Sequence, residues 1–161
     1  GGNTILFTGQ FDYGGNDFTQ VIAKRIDMPF RDAETIKRQW GETLLPAKTR
    51  DAAAEAIATA VDLWLEKLVN LCGSDDRFLL PERVFLLGGG ARLRTIAEVM
   101  NSRPWYSDLT FLERLDTQVL DAEALAPSVF RNSTPLLSGP EEVALVALAA
   151  RMRQSVPAAV H

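Results

Sequence analysis

The 161-residue sequence has one cysteine, Cys72, and one histidine, the terminal His161. Disulfide frameworks, Cys/His zinc sites and His-based nucleophilic triads all need more of these residues than the chain holds, so the three are excluded together. A lone cysteine suits a reducing compartment. Cys72 falls where a long helical pattern ends, and packing is its expected role. No apolar run reaches the ~18 to 20 residues that cross a bilayer, and no charged leader precedes an apolar stretch with a small-residue cleavage site. The expected location is cytoplasmic, without membrane insertion. Basic clusters are also missing: 17 Lys and Arg are scattered among 21 Asp and Glu, for a formal charge of −4. Nucleic acid is therefore not an expected partner.

What is present, 47% apolar and 24% charged residues, fits one globular domain or part of a larger one. Thr4–Phe11 alternates apolar and polar residues and reads as a strand that turns at Gly14-Gly15. A helix capped by Asn16 or Asp17 follows, with Phe18, Val21, Ile22 and Ile26 on one face and Met28-Pro29 as its stop. A second, Arg31–Trp40, closes on Gly41. From an N-cap at Thr49 to Cys72, the residues Ile57, Val61, Trp64, Leu65, Leu68 and Leu71 draw one helical stripe. Gly73–Pro81 reads as a loop. Val84–Leu87 is a continuous apolar run of the kind that forms a strand buried on both faces. Gly88-Gly89-Gly90 follows, then a helix through Leu93, Ile96, Ala97 and Met100. Asp108–Leu112 is β-rich, and the segment around Pro127 and Pro135 carries no readable period. Pro140 suits a first helical position, and Val143–Ala150 is apolar nearly all round, which predicts a buried helix.

Two features carry chemistry. Glycines between a strand and a helix let the backbone approach a ligand, and the helix N-terminus favours phosphate. Gly88–Gly90 match neither the Walker pattern nor the dinucleotide fingerprint, and on this turn alone tight packing explains them as well as a ligand does. On the second helix Glu34, Lys37 and Arg38 stand at i, i+3 and i+4, so a carboxylate and two cations share one face. That face could grip a ribose hydroxyl and a purine; alone, it reads as a solvated ion-pair cluster. No carboxylate pair is placed by a recognisable acid–base motif.

The order of these elements adds information. Tyr13-Gly14-Gly15-Asn16-Asp17-Phe18-Thr19, then Ala33-Glu34-Thr35-Ile36-Lys37-Arg38, then Val84 to Leu93 through Gly88-Gly89-Gly90-Ala91-Arg92, resembles the actin-like ATPase superfamily, in particular its bacterial FtsA and PilM group. The resemblance covers about Gly9 to Met100 with matched motifs. It implies an α/β fold, half of an actin-like (ribonuclease H-like) ATPase domain with a reduced helical outer subdomain. Residues 1–15 would be a strand of the core subdomain, 16–48 the outer subdomain, 49–155 the core with its adenosine loop, and 156–161 a tail.

The resemblance implies ATP as the ligand, with Glu34 and Lys37 meeting ribose and adenine, Arg38 and Arg92 flanking the ring, and Gly88, Gly89 and Gly90 passing beside it. Gly14 and Gly15 are expected to shape the turn and not to touch ligand. The family's phosphate loops and catalytic carboxylates lie upstream of the point matched by Gly1, so Mg2+ would come through the phosphates and the missing half. The chain then reads as the C-terminal half of a larger protein, partnered by the other half of the same polypeptide and by self-association or a scaffold of cell division or envelope assembly. The short Gly41–Thr49 link leans towards PilM, and Ser155–Ala159 lacks the charge and amphipathicity of the FtsA membrane helix. An interaction module with lapsed nucleotide binding is the alternative, in which Trp40, Trp105 and Tyr106 would mark a partner surface, although core packing is the expected role of these three; a chaperone-type ATPase is another.

Overall fold

In a computed structural model that describes residues 8–40, 45–73, 83–107, 109, 116–129 and 139–155, Gly14 and not Asn16 or Asp17 is the N-cap of helix α1 (Gly15–Ile26). Asp17 acts instead from the third helical position. Its carboxylate accepts a 2.7 Å bond from the Gly14 N–H, and its charge sits where the helix dipole favours an anion. At the other end Asp27 takes a left-handed conformation, φ 54°, and the Met28 N–H returns to the Ala23 carbonyl at 3.0 Å. Pro29 then bars further helix. The expected strand before α1 is absent from Thr8–Phe11, which carry no regular structure; its earlier part lies outside the described residues.

Helix α2 (Phe30–Arg38) follows directly and ends on Gln39 as its C-cap, not on the expected Gly41, because the Gln39 N–H already returns to the Thr35 carbonyl at 3.1 Å. Helix α3 (Ala47–Cys72) starts two residues before the expected cap at Thr49, because Pro46 already enters with a φ of −52°. The α3 stripe is deeper than its large residues suggested. Ala53, Ala56 and Ala60 are fully buried alongside Ile57, Val61 and Leu65. Small side chains at successive turns let α1 lie close against α3. Phe18, Ile22 and Ala23 of α1, Ala33 of α2, Ala56, Ile57, Ala60, Val61 and Leu65 of α3, and Leu93, Ile96, Val99 and Met100 form one hydrophobic cluster.

Strands β1 (Arg83–Leu86) and β2 (Asp116–Val119) pair in parallel, Arg83 opposite Asp116 through Leu86 opposite Val119. Parallel neighbours require a crossover, and helix α4 (Arg94–Ser102) lies within it. The outer edge of β2 is occupied by a side chain: Asn101 donates to the Thr117 carbonyl and accepts from the Thr117 N–H, both at 3.0 Å. One amide thus replaces a neighbouring strand at that residue. The strand expected at Asp108–Leu112 lies outside the described residues except for Leu109, which is not in a strand.

β1 is not buried on both faces as its apolar run predicts. Val84 and Leu86 pack on the helical core, whereas Phe85 and Leu87 are 47% and 51% exposed. The segment around Pro127 carries helix α5 (Ala122–Val129). Asp121 starts it by accepting from the N–H groups of Glu123 at 2.9 Å and Gly139 at 3.2 Å. Helix α6 (Val143–Ser155) packs through Val143 and Val146 against Ala122 and Leu125. It is not buried all round: Leu145 and Leu148 are 59% and 56% exposed, because among the described residues it packs chiefly on α5 and on Pro140–Glu142. No described helix is long and apolar enough to cross a membrane.

Candidate functional site

Two structural elements build one cleft. On the first wall, Ala33 is fully buried and fixes the rotation of α2, which turns Glu34 and Lys37 towards the first turn of α1. The Lys37 ammonium donates to the Gly15 carbonyl, the Thr19 hydroxyl and Glu34 Oε2, each at 2.7 Å. An ammonium has three donors, and all three are used. The buried Thr19 hydroxyl also donates to the Glu34 carboxylate. Arg38 reaches the other carboxylate oxygen, Nε to Oε1, at 2.8 Å. The group is therefore more than a solvated ion-pair cluster. The Lys37 side chain is only 14% exposed and ties α2 to α1, whereas Arg38 is 77% exposed.

Partial burial alone would raise the Glu34 carboxyl, but the bonds from Lys37, Thr19 and Arg38 outweigh it and hold the group at about 2, below its ordinary 4.5. A depressed folded-state value means that ionised Glu34 stabilises the fold above pH 4.5, a contribution lost as pH falls towards about 2. Denaturant melts across that window should show a flatter acid limb in Glu34→Gln than in the parent. Equal slopes would remove Glu34 from the acid response.

The second wall starts at the end of β1. Gly88 has φ 89° and ψ 173°, a region that essentially only glycine occupies. Its N–H donates to the Pro140 carbonyl at 2.7 Å. Gly89 and Gly90 then enter a 3-10 turn, Gly89–Arg92, anchored by buried Ala91 and followed by buried Leu93. A Cβ at Gly89 or Gly90 would meet nothing within 4 Å. Strand–helix packing therefore requires neither of these two glycines, and they are left facing space. Gly139 repeats the geometry of Gly88, with φ 102° before a 3-10 turn, Pro140–Glu142. Glu141 accepts from Arg92 on both oxygens, Nε to Oε2 at 2.7 Å and Nη2 to Oε1. These bonds hold the Glu141 carboxyl below its ordinary value.

Between the walls lies a cleft of about 730 Å³, lined by Gly15, Asn16 and Phe18 of α1, by Glu34, Lys37 and Arg38 of α2, by Gly89, Gly90, Arg92, Leu93 and Ile96, and by Glu141. Six of the seven sequence-predicted residues line it; Gly88 stands behind them as the turn. Gly15, expected only to shape a turn, is part of the wall. Nothing in the sequence marks Glu141 beyond its place in an acidic first turn after Gly139-Pro140. Among the described residues no group of three His, Cys, Asp or Glu side chains is placed to hold a metal ion.

The aromatic residues that would mark a partner surface are packed, as ordinary core packing predicts. Trp40 and Trp105 lie half-buried on the main core, the Trp105 indole donates to the Met100 carbonyl at 3.0 Å, and Tyr106 meets Trp105 edge-on at 5.6 Å. Cys72 is half-buried at the end of α3, and burial pushes its thiol up, away from the reactive thiolate. No family model, curated protein or solved structure matches this chain.

Proposed function

We propose that this chain is the adenosine-binding half of an actin-like ATPase of the FtsA and PilM kind, a cytoskeletal or scaffold component of bacterial cell division or envelope-machine assembly. The observation that carries the reading is the convergence of three separate motifs on one cleft in which Gly89 and Gly90 face space that packing does not fill. The cleft volume of about 730 Å³ is ordinary for a small-molecule site. Apolar Phe18, Leu93 and Ile96 supply surface for a base, and glycine backbone allows close approach.

Within this reading the residues divide their work. A carboxylate has about four lone-pair sites, and Glu34 uses three of them on Thr19, Lys37 and Arg38. The fourth accepts from a ribose hydroxyl. Lys37, with its donors committed, positions Glu34 and the α1 entrance in preference to touching the ligand. Arg38 and Arg92 flank the ring. The triphosphate, with its Mg2+, supplies charge that the other half of the polypeptide binds, so that occupancy closes the two halves and alters polymerisation or partner binding.

Calorimetric titration of Mg-ATP into the full polypeptide, repeated on the 161-residue chain, tests this. Saturable binding by the full polypeptide, much weakened or lost in the chain alone, is expected. Silence in both would replace the reading with an interaction module on the same fold.

A further inference from the structure

The geometry points to Glu141 as a positioning residue for this cleft: it fixes the plane of the Arg92 guanidinium so that a flat, base-bearing ligand meets a preformed platform. The inference rests on the nucleotide reading above and adds a residue that no motif in the sequence marked. Arg92 and Glu141 are 49 residues apart, follow two different glycine turns, and both line the cleft. Their two parallel bonds form a fork-to-fork pair, which fixes orientation as well as distance. A guanidinium held in one plane stacks on an aromatic ring, which an ammonium cannot imitate.

The surroundings of the pair are built for it. A Cβ on Gly139 would lie 2.7 Å from Glu141 Oε2 and 2.8 Å from Arg92 Nη2, so the two side chains rest against bare backbone. The Gly88 N–H bond to the Pro140 carbonyl joins the two turns that carry them. Arg92 and Glu141 side chains are 60% and 35% exposed, so solvent screens much of what the pair adds to folding. The pair also sets the orientation of a cation in the cleft wall.

The test uses the full polypeptide with three probes: Mg-ATP, adenosine, and inorganic tripolyphosphate. Glu141→Gln is expected to weaken adenosine and Mg-ATP alike by about two- to fivefold, the range of an exposed cation–π contact, with tripolyphosphate binding unchanged and at most a small drop in melting temperature. Arg92→Lys, which keeps the charge and loses the plane, should reproduce that loss, and the double variant should be no weaker than Arg92→Lys alone. Unchanged adenosine affinity in Glu141→Gln overturns the positioning role, as does an equal loss for tripolyphosphate. If the parent itself binds neither adenosine nor Mg-ATP, the nucleotide reading fails and this inference fails with it; parent binding with an indifferent variant defeats the inference alone.

Discussion

Replacing Gly89 and Gly90 together with alanine is expected to leave the fold at least as stable as before while weakening Mg-ATP binding by about tenfold or more, a difference of ~1.4 kcal/mol. Neither glycine has a positive φ, and a methyl group at either meets nothing within 4 Å. Alanine at such positions stabilises a protein by about 0.4–1 kcal/mol, chiefly by reducing the freedom of the unfolded chain. Both residues line the cleft, so the same methyl groups occupy ligand space. Gly88→Ala should behave in the opposite sense. With φ 89° and ψ 173°, it should lose about 1–3 kcal/mol of stability from backbone strain. Thermal melts paired with calorimetry separate the two cases. A double alanine variant that melts early and still binds would return these glycines to a packing role.

Lys37→Ala is expected to destabilise the fold by about 1–3 kcal/mol, the range for removing a hydrogen-bonded charge from a partly buried site. At this chain length that lowers the melting temperature by roughly 2–4 °C per kcal/mol. The ammonium satisfies the Gly15 carbonyl, the Thr19 hydroxyl and Glu34 at once, so its loss loosens the joint between α1 and α2 and leaves a carboxylate with Arg38 as its remaining cation. Neutralising that carboxylate as well should recover part of the loss. The double variant Lys37→Ala with Glu34→Gln is therefore expected to be more stable than the sum of the single changes implies, by at least about 0.5 kcal/mol. Strict additivity in denaturant melts would show that the two side chains do not act as a unit.

The helical half of the fold was legible because its burial is periodic. Phe18 and Ile22 on α1, Ile57, Val61 and Leu65 on α3, and Ile96 and Met100 on α4 are all core residues, and each set repeats at helical spacing. Spacing also put Glu34, Lys37 and Arg38 on one face. It could not show that Lys37 reaches Gly15 and Thr19, 22 and 18 residues away, because such contacts depend on how α1 meets α2. Buried Ala53, Ala56 and Ala60 carry no signal in the sequence, since a small side chain marks burial only once the neighbouring helix is known. Apolar runs misled in the other direction. Val84–Leu87 and Val143–Ala150 are compatible with burial on every side, but neighbours decide it, and Phe85, Leu87, Leu145 and Leu148 stay about half exposed. β2 escaped because Asp116-Thr117-Gln118-Val119 has little apolar character, being held by its pairing with β1 and by Asn101. Glu141 is hidden for the same reason as the contacts of Lys37: its partner lies across the fold.

The most direct measurement is backbone amide chemical-shift mapping of the full polypeptide titrated with Mg-ATP. Saturable shifts are expected at Gly15, Asn16, Gly89 and Gly90 and along the Glu34–Arg38 turn, with the exposed Leu145–Leu148 face of α6 unaffected. Binding that leaves those cleft amides unmoved, or shifts confined to Phe85, Leu87 and the α6 face, would contradict the assignment of this cleft to a nucleotide.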